Sequence, residues 1–390
     1  MNELIRDAAF MILELQEGLL PGRTWKALRR FSDGREALSE FQRTAEQAAW
    51  KTAKENFLQA TQADGGLLEA AYFYASMLVG ERTAESVDTA IVFFEHVLQS
   101  ENAALRAFAH AGLARCYSQQ WHRLARRERD VLEKAYQHAE DAHAEYSGQG
   151  DHAWLLGTSG LVRIVNEGSR ETRAEDKKRF IEGAGFMLRA MKLDPSNDVY
   201  PNNLGWVLLK LAEWDQEVDS ELLPDDGAPA ELLGNPAEVA ESYLRRSIHL
   251  NHRNKLPHAN LCLLYATVYF RNKKDNELFL DKARASGREA LRLDPRYING
   301  HRDLAMSLLR YRQFDEAYEY SAKALRLTDN PEKRHELRQD LLAVFDELKA
   351  RPDANAADQE QRLRWEQSLT QVVAALNEGD HDLPPPGRSQ

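Results

Sequence analysis

The feature that most constrains the fold is a helix ending that occurs three times in the chain. It reads "RAMKLDPSN" at 189–197, "REALRLDPRY" at 288–297 and "KALRLTDNP" at 323–331. We expect the Leu of each "LDP" to pack on a partner helix and the Asp to end its own helix. Pro lacks a backbone N–H and has a fixed φ, so it prevents the helix from continuing. A repeated ending of this kind predicts an array of similar helical units.

The residues before these endings have the period of paired helices. In 298–331 the first predicted helix places Leu304, Ala305 and Leu308 on one side. The second places Ala317 and Ala324 on one side. Small side chains at these positions let two helices approach closely, whereas larger ones would hold them apart.

This arrangement resembles the tetratricopeptide repeat (TPR), which has a large-small-large pattern on its first helix, then Ala, an aromatic residue and Ala on the second, then Pro. The pattern recurs at 202–205 ("NNLG") and 260–262 ("NLC"), and further upstream around Phe94 and Leu113. It extends over about 67–331 and is clearest over 190–331. The resemblance implies an all-α fold, a superhelical array of antiparallel helix pairs with a helical cap at each end.

The chain divides accordingly. We expect an N-terminal helical cap at 1–64, with one helix over 35–62, and a TPR-like array at 65–331 that carries an insert at 213–235. Capping helices follow at 332–378. The last segment, 379–390, contains three consecutive prolines and no apolar periodicity, which predicts a disordered tail.

The resemblance implies a non-catalytic scaffold or regulatory partner that binds a protein or peptide on the concave face of the first helices. Asn is suited to the position before the large apolar residue because its amide both donates to and accepts from a peptide backbone. Replacing Asn203 and Asn260 is therefore expected to weaken binding with little change in melting temperature. The predicted groove residues are Asn202, Asn203, Trp206, Lys210, Asn260, Leu263, Arg302, Asp303, Met306 and Arg310.

The insert is acidic, contains no Lys or Arg, and carries apolar residues that include Trp214, Leu222 and Leu223. Segments of this composition bind partners when they fold onto a basic, apolar groove. The insert can grip the partner, occupy the groove until a partner displaces it, or pack back on its own array.

Two other functions compete with the scaffold. Trp121 begins the stretch 121–130, whose arginines at 123, 126, 127 and 129 suggest a nucleic-acid surface or a solvated helix face. The net charge of -11 disfavours nucleic acid as a partner. A ligand-sensing regulator would need a closed polar pocket.

No catalytic or nucleotide-binding motif occurs, so we expect neither enzymatic activity nor a cofactor. His249 and His252 share a helix face but lack an evident third ligand, so no metal site is predicted. The two cysteines, Cys116 and Cys262, are expected to be reduced and packed. The N-terminal segment is amphipathic and matches neither a signal peptide nor a membrane span, which favours a cytoplasmic location.

Overall fold

The structure is a computed structural model of the 390-residue chain. It describes residues 24–44, 46–81, 83–123, 129–146, 152–165, 173–213, 235–270, 276–328 and 331–349, with five further positions from 360 to 370. At a few of these positions only the backbone is described. Every regular element in these ranges is helical, as the sequence predicts. The chain forms two compact units, Met1–Glu171 and Thr172–Gln390.

The first unit contains seven described helices, most of which pack in consecutive antiparallel pairs. The pairs are α1 with α2, α3 with α4, and α5 with α6, and α7 packs on both members of the third pair. Their bounds are α1 Trp25–Thr44, α2 Gln47–Ala63, α3 Leu68–Glu81, α4 Ala84–Val97, α5 Ala103–Arg123, α6 Arg129–Tyr146 and α7 Ala153–Val165.

The second unit continues the same architecture. Within it α9 pairs with α10, α11 with α12, and α13 with α14, while α8 packs on α9, and α15 packs on α13 and α14. The bounds are α8 Arg173–Leu193, α9 Val199–Glu213, α10 Pro236–Leu250, α11 Lys255–Leu264, α12 Asn276–Leu293, α13 Ile298–Arg310, α14 Phe314–Arg326 and α15 Pro331–Lys349. A π-helical segment, Tyr265–Tyr269, extends α11.

Small residues set the close approach of the paired helices, as predicted. Ala305, Ala317 and Ala324 are completely buried in the pair formed by α13 and α14. A Cβ added to Gly205 on α9 would lie 2.6 Å from Cγ of Leu244 on α10, closer than carbon atoms pack. These positions correspond to the small residues of the TPR pattern, so the sequence pattern and the helix pairing agree.

The repeated helix ending is a polar turn, which corrects one expectation. Leu193 is 51% exposed and does not pack in the core, whereas Leu293 at the second ending is half-buried. Ala190 and Leu291 are among the buried residues near these endings. The Asp residues do end the helices. Asp194 accepts a hydrogen bond from Ser196 Oγ at 2.8 Å, and Asp294 accepts one from the backbone N–H of Arg296 at 3.0 Å.

The helix predicted over 35–62 is divided into α1 and α2. The hydroxyl of Thr44 donates to the carbonyl of Glu40 at 2.9 Å and accepts from the backbone N–H of Glu46 at 3.2 Å. These side-chain bonds replace backbone bonds that would continue the helix. Residues 1–23 and the predicted tail at 379–390 lie outside the described residues, and the roles of the end segments as caps stay predictions.

The π-helical segment is joined to α10 by a partly buried carboxylate. The hydroxyls of Tyr265 and Tyr269 donate to the two carboxylate oxygens of Glu241 at 2.8 and 2.9 Å, and Arg245 Nη2 lies 2.8 Å from the same carboxylate. Burial acts to raise the pKa of Glu241, but the hydrogen bonds from Tyr265, Arg245 and Tyr269 hold that pKa below its ordinary value. The carboxylate is therefore ionised and fastens one helix pair to the next.

Candidate functional site

Three asparagines on neighbouring first helices form a continuous chain of amide hydrogen bonds, which we call the amide ladder. Asn260 Nδ2 on α11 donates to Asn202 Oδ1 on α9 at 3.1 Å, and Asn202 Nδ2 donates to Asn203 Oδ1 at 3.1 Å. Asn202 is 4% exposed, whereas Asn203 and Asn260 are half-buried. The structure thus brings together the three asparagines that the sequence singles out.

The ladder fixes which amide atoms are left for other partners. An Asn side chain offers two N–H donors and one carbonyl acceptor. Because Asn203 uses its oxygen and Asn260 uses its nitrogen within the ladder, the atoms outside it are Asn203 Nδ2 and Asn260 Oδ1. The first is a donor and the second is an acceptor, and each is on a partly accessible side chain. This is the pair of functions that a peptide group requires.

One helical turn further on, Trp206 and Lys210 extend the same side of α9. The indole ring of Trp206 lies 5.6 Å from the ring of Phe180 on α8. Lys210 Nζ lies 5.7 Å from the Trp206 ring and 3.0 Å from Glu213 Oε2. A cation at this distance from an indole face is attracted by the ring. The ammonium of Lys210 is therefore held in place by both a carboxylate and an aromatic ring.

On α13, Arg302 and Asp303 form an ion pair rather than two separate recognition groups. Arg302 Nη2 lies 2.8 Å from Asp303 Oδ1, and Arg302 Nη1 lies 3.8 Å from Asp340 Oδ2 on α15. The Asp303 side chain is 6% exposed and that of Arg302 is 30% exposed. Burial raises the pKa of Asp303, although Arg302 and Lys210 both favour the ionised carboxylate. Lys210 is thus near enough to act electrostatically on Asp303 across α9 and α13.

Arg310 is placed differently from the prediction. It is 7% exposed, so it lies in the interior of the helix array and presents little of its guanidinium to a ligand.

The cysteine thiols are also in the interior. Cys262 Sγ lies 3.2 Å from Ser307 Oγ. Burial raises the pKa of Cys262 to about 12, which keeps this thiol protonated and unreactive. Both cysteines are buried and neither is in a disulfide bond, as expected. Leu263 and Met306 are half-buried and keep part of their apolar surface accessible.

The aromatic residue of the arginine stretch at 121–130 is not available at the surface. Trp121 is 2% exposed and packs within the first unit, so its ring cannot stack on a nucleic-acid base. The side chains of the four arginines lie outside the described residues. Trp214, Leu222 and Leu223 of the insert also lie outside the described residues, so the role of the insert stays a prediction.

The groups that balance the charge of this surface were not predicted from the sequence. Glu213 follows Lys210 by three residues, a spacing that brings side chains together on a helix, so this pair was recoverable from the sequence. Asp340 comes from α15, and no local pattern connects it to Arg302. Phe180 likewise reaches Trp206 from a different helix.

Comparisons with known proteins give structural likenesses only. No family model matches the chain, and no curated protein matches it. The crystal structure of YrrB, a TPR protein with an unusual peptide-binding site, aligns with a TM-score of 0.34 at 16% identity, covering 64% of this chain and 97% of YrrB. TTC0263, a thermophilic TPR protein in Thermus thermophilus, gives 0.33 at 20% identity and covers 49% of this chain and 91% of its own.

A third structure, the complex of the TPR2AB domain of yeast Sti1 with pHSP90, gives a TM-score of 0.27 at 12% identity and covers 82% of this chain and 98% of that one. All three are TPR proteins. The described helices form a TPR-like array. That description rests on the helix pairs and on their small residues at the TPR positions. Within the described residues, no helix has both the length and the apolar composition that a membrane span requires.

Proposed function

We propose that this protein is a non-catalytic scaffold that binds an extended segment of a partner protein along α9, α11 and α13. The observation that carries the proposal is the amide ladder. It presents a donor at Asn203 and an acceptor at Asn260, and both atoms are oriented by buried Asn202. Donors and acceptors held in place before binding lose less conformational entropy when the partner arrives.

An extended peptide suits this surface because its backbone groups are not used internally. Its carbonyl can accept from Asn203 Nδ2 and its N–H can donate to Asn260 Oδ1. The partly accessible apolar residues nearby, Trp206, Leu263 and Met306, offer contacts to the side chains of the peptide. The backbone contacts supply general affinity, and the apolar contacts supply preference for particular side chains.

Charge contributes less to this proposal than the sequence suggests. Lys210 is paired with Glu213, and Arg302 lies between Asp303 and Asp340. An acidic peptide must therefore compete with carboxylates of the chain itself. We expect a weak preference for acidic peptides and a small effect of salt on affinity.

The proposal is tested by selecting peptides from a random display library against the full chain and measuring their affinity by fluorescence anisotropy. The decisive variant is Asn203→Asp. Its carboxylate still accepts from Asn202, so the ladder is kept, but the outward N–H donor becomes an acceptor. Loss of a desolvated hydrogen bond costs about 1–3 kcal/mol, so we expect affinity to fall about tenfold or more.

The matched control is Gln62→Glu, which makes the same amide-to-carboxylate change at an exposed position on α2. It adds the same charge but touches no part of the ladder. Unchanged affinity in Asn203→Asp would overturn the proposed binding face. Equal weakening in both variants would mean that net charge, and not the ladder, governs binding.

A further inference from the structure

A cluster of metal-binding side chains lies in the first unit, within the helix pair formed by α5 and α6. His110 is on α5, and His138 and Asp141 are on α6. The Nδ1 atoms of the two histidines lie 2.9 Å apart, and His110 Nδ1 lies 3.9 Å from Asp141 Oδ2. One ligand atom from each of the three residues lies within 4.8 Å of the other two. All three side chains are partly buried.

These separations suit a four-coordinate metal ion. Zn²⁺ binds imidazole nitrogen and carboxylate oxygen at about 2.0–2.2 Å, and ligand atoms at the corners of such a tetrahedron are about 3.3–3.6 Å apart. The histidine pair is slightly closer than this and the His110–Asp141 pair slightly farther apart. The third pair, His138 and Asp141, lies within 4.8 Å. Side-chain rotations would bring the three atoms to bonding positions, and the fourth position would remain for water.

Groups around the cluster hold the ligands in orientation, as outer partners do in metal sites. Gln137 Nε2 donates to Asp141 Oδ1 at 2.8 Å, which leaves the other carboxylate oxygen, Oδ2, on the side of His110. The ring of Tyr117 stacks on the ring of His138, with centroids 5.5 Å apart and planes 2° from parallel. Both contacts restrict the rotation of a ligand.

The surrounding charges nearly cancel. Arg106 and Glu145 pair with each other, with 2.6 Å between Nη2 and Oε2, so neither adds an unbalanced charge beside His110. Lys134 Nζ lies 5.5 Å from the Tyr117 ring and opposes a bound cation, while Asp141 attracts it.

We infer that His110, His138 and Asp141 bind one Zn²⁺ ion and thereby join α5 to α6. Two imidazole nitrogens and one carboxylate oxygen are a donor set that Zn²⁺ accepts. Because the ligands come from both helices of a pair, the ion would resist separation of these helices. This is a different unit from the one that carries the amide ladder, so the metal site and peptide binding are tested separately.

The experiment titrates ZnCl₂ into the metal-free full chain by isothermal calorimetry and counts bound ions by native mass spectrometry. We expect one ion per chain and a higher melting temperature when zinc is present. His138→Gln and Asp141→Asn should each weaken binding at least tenfold and remove most of that rise. Gln137→Ala, which removes only an orienting contact, should weaken binding about tenfold.

The control is His252→Gln, which removes one histidine of the exposed pair His249 and His252. Binding should be unchanged in this variant. If circular dichroism shows that His138→Gln is misfolded, Asp141→Asn tests the site instead. The visible spectrum of the Co²⁺-bound chain is a second test, and it should be that of a four-coordinate ion. The inference is overturned by absence of one-to-one zinc binding, by full affinity in Asp141→Asn, or by loss of the site in His252→Gln.

Discussion

Gly205→Ala tests how closely α9 and α10 must approach. The added Cβ would lie 2.6 Å from Leu244 Cγ, 2.8 Å from Leu244 Cδ2 and 3.2 Å from the backbone oxygen of Ala240. Leu244 is completely buried, so its side chain has little room to move away. The substitution must therefore separate the two helices or force the Leu244 side chain out of its preferred rotamer.

Two effects of opposite sign decide the magnitude. Overpacking in a core costs about 1–3 kcal/mol. Replacing Gly by Ala in the middle of a helix contributes about 1 kcal/mol in the favourable direction. We therefore expect a net loss of about 1 kcal/mol in the free energy of unfolding, measured by urea unfolding followed by far-UV circular dichroism.

Repeating the substitution in a Leu244→Ala background separates these two effects. Leu244→Ala alone should cost about 2–5 kcal/mol, because it removes a buried side chain. It also removes the two carbon atoms that the new Cβ would meet, so Gly205→Ala should then be neutral or stabilising by up to about 1 kcal/mol. The same loss in both backgrounds would refute the close approach of these helices at Gly205.

Three further predictions concern packing, pH and the insert. Ala317→Leu should lower the free energy of unfolding by about 1–3 kcal/mol, because Ala317 is completely buried. Ala285→Leu, at an exposed position of α12, should be nearly neutral. Equal urea midpoints for the two variants would contradict the pairing of α13 with α14. Because the pKa of Glu241 is lower in the folded chain, its contribution is present above its unfolded pKa of about 4.3 and is lost as pH falls below it. Glu241→Gln should thus be less stable than the natural chain at pH 7 by about 1.5–3 kcal/mol, and this difference should become smaller at acid pH. Unfolding measured at several pH values tests this, and a difference that does not change with pH would contradict the role of the Glu241 carboxylate. Deleting 222–234 should strengthen the binding of a selected peptide if the insert covers the groove, and weaken it if the insert binds the partner. An unchanged affinity, measured by fluorescence anisotropy, would show that the insert does neither.

Much of the fold follows from the sequence because its determinants are local. The helix pair α13–α14 is set by apolar residues at helical spacing, by small residues such as Ala317, and by the short connection between Arg310 and Phe314. The division of α1 from α2 was missed because Thr44 replaces backbone bonds without any Gly or Pro to mark the break. Leu193 was misplaced because helical period alone does not tell which residue of the last turn stays covered.

The helix positions of the candidate residues were predictable from the sequence, but their contacts and burial were not. Helical spacing placed Asn203 and Asn260 on first helices, but their hydrogen bonds to buried Asn202 depend on the distance between helices. Removing either amide should therefore lower stability as well as binding, contrary to the expectation from sequence of little change in melting temperature. The burial of Arg310 and Trp121 was likewise not predicted, because helical spacing does not show which side chains a neighbouring helix covers.

The cluster of His110, His138 and Asp141 also could not be predicted from the sequence. Its only local signal is the spacing of three between His138 and Asp141, which places them on one face of α6. The remaining ligand comes from α5, and nothing in the sequence links it to that face. Only the packing of α5 on α6 brings the two histidines within 2.9 Å.

The most direct test of the binding account is the nuclear magnetic resonance signal of the Asn203 side-chain amide when a selected peptide is added to the full chain. If the ladder binds the peptide backbone, this resonance shifts on saturation and shows cross-relaxation with backbone protons of the peptide, while the resonance of the exposed Gln62 amide does not shift. A peptide that saturates the chain and leaves the Asn203 amide resonance unchanged would contradict the claim that the ladder binds the partner backbone.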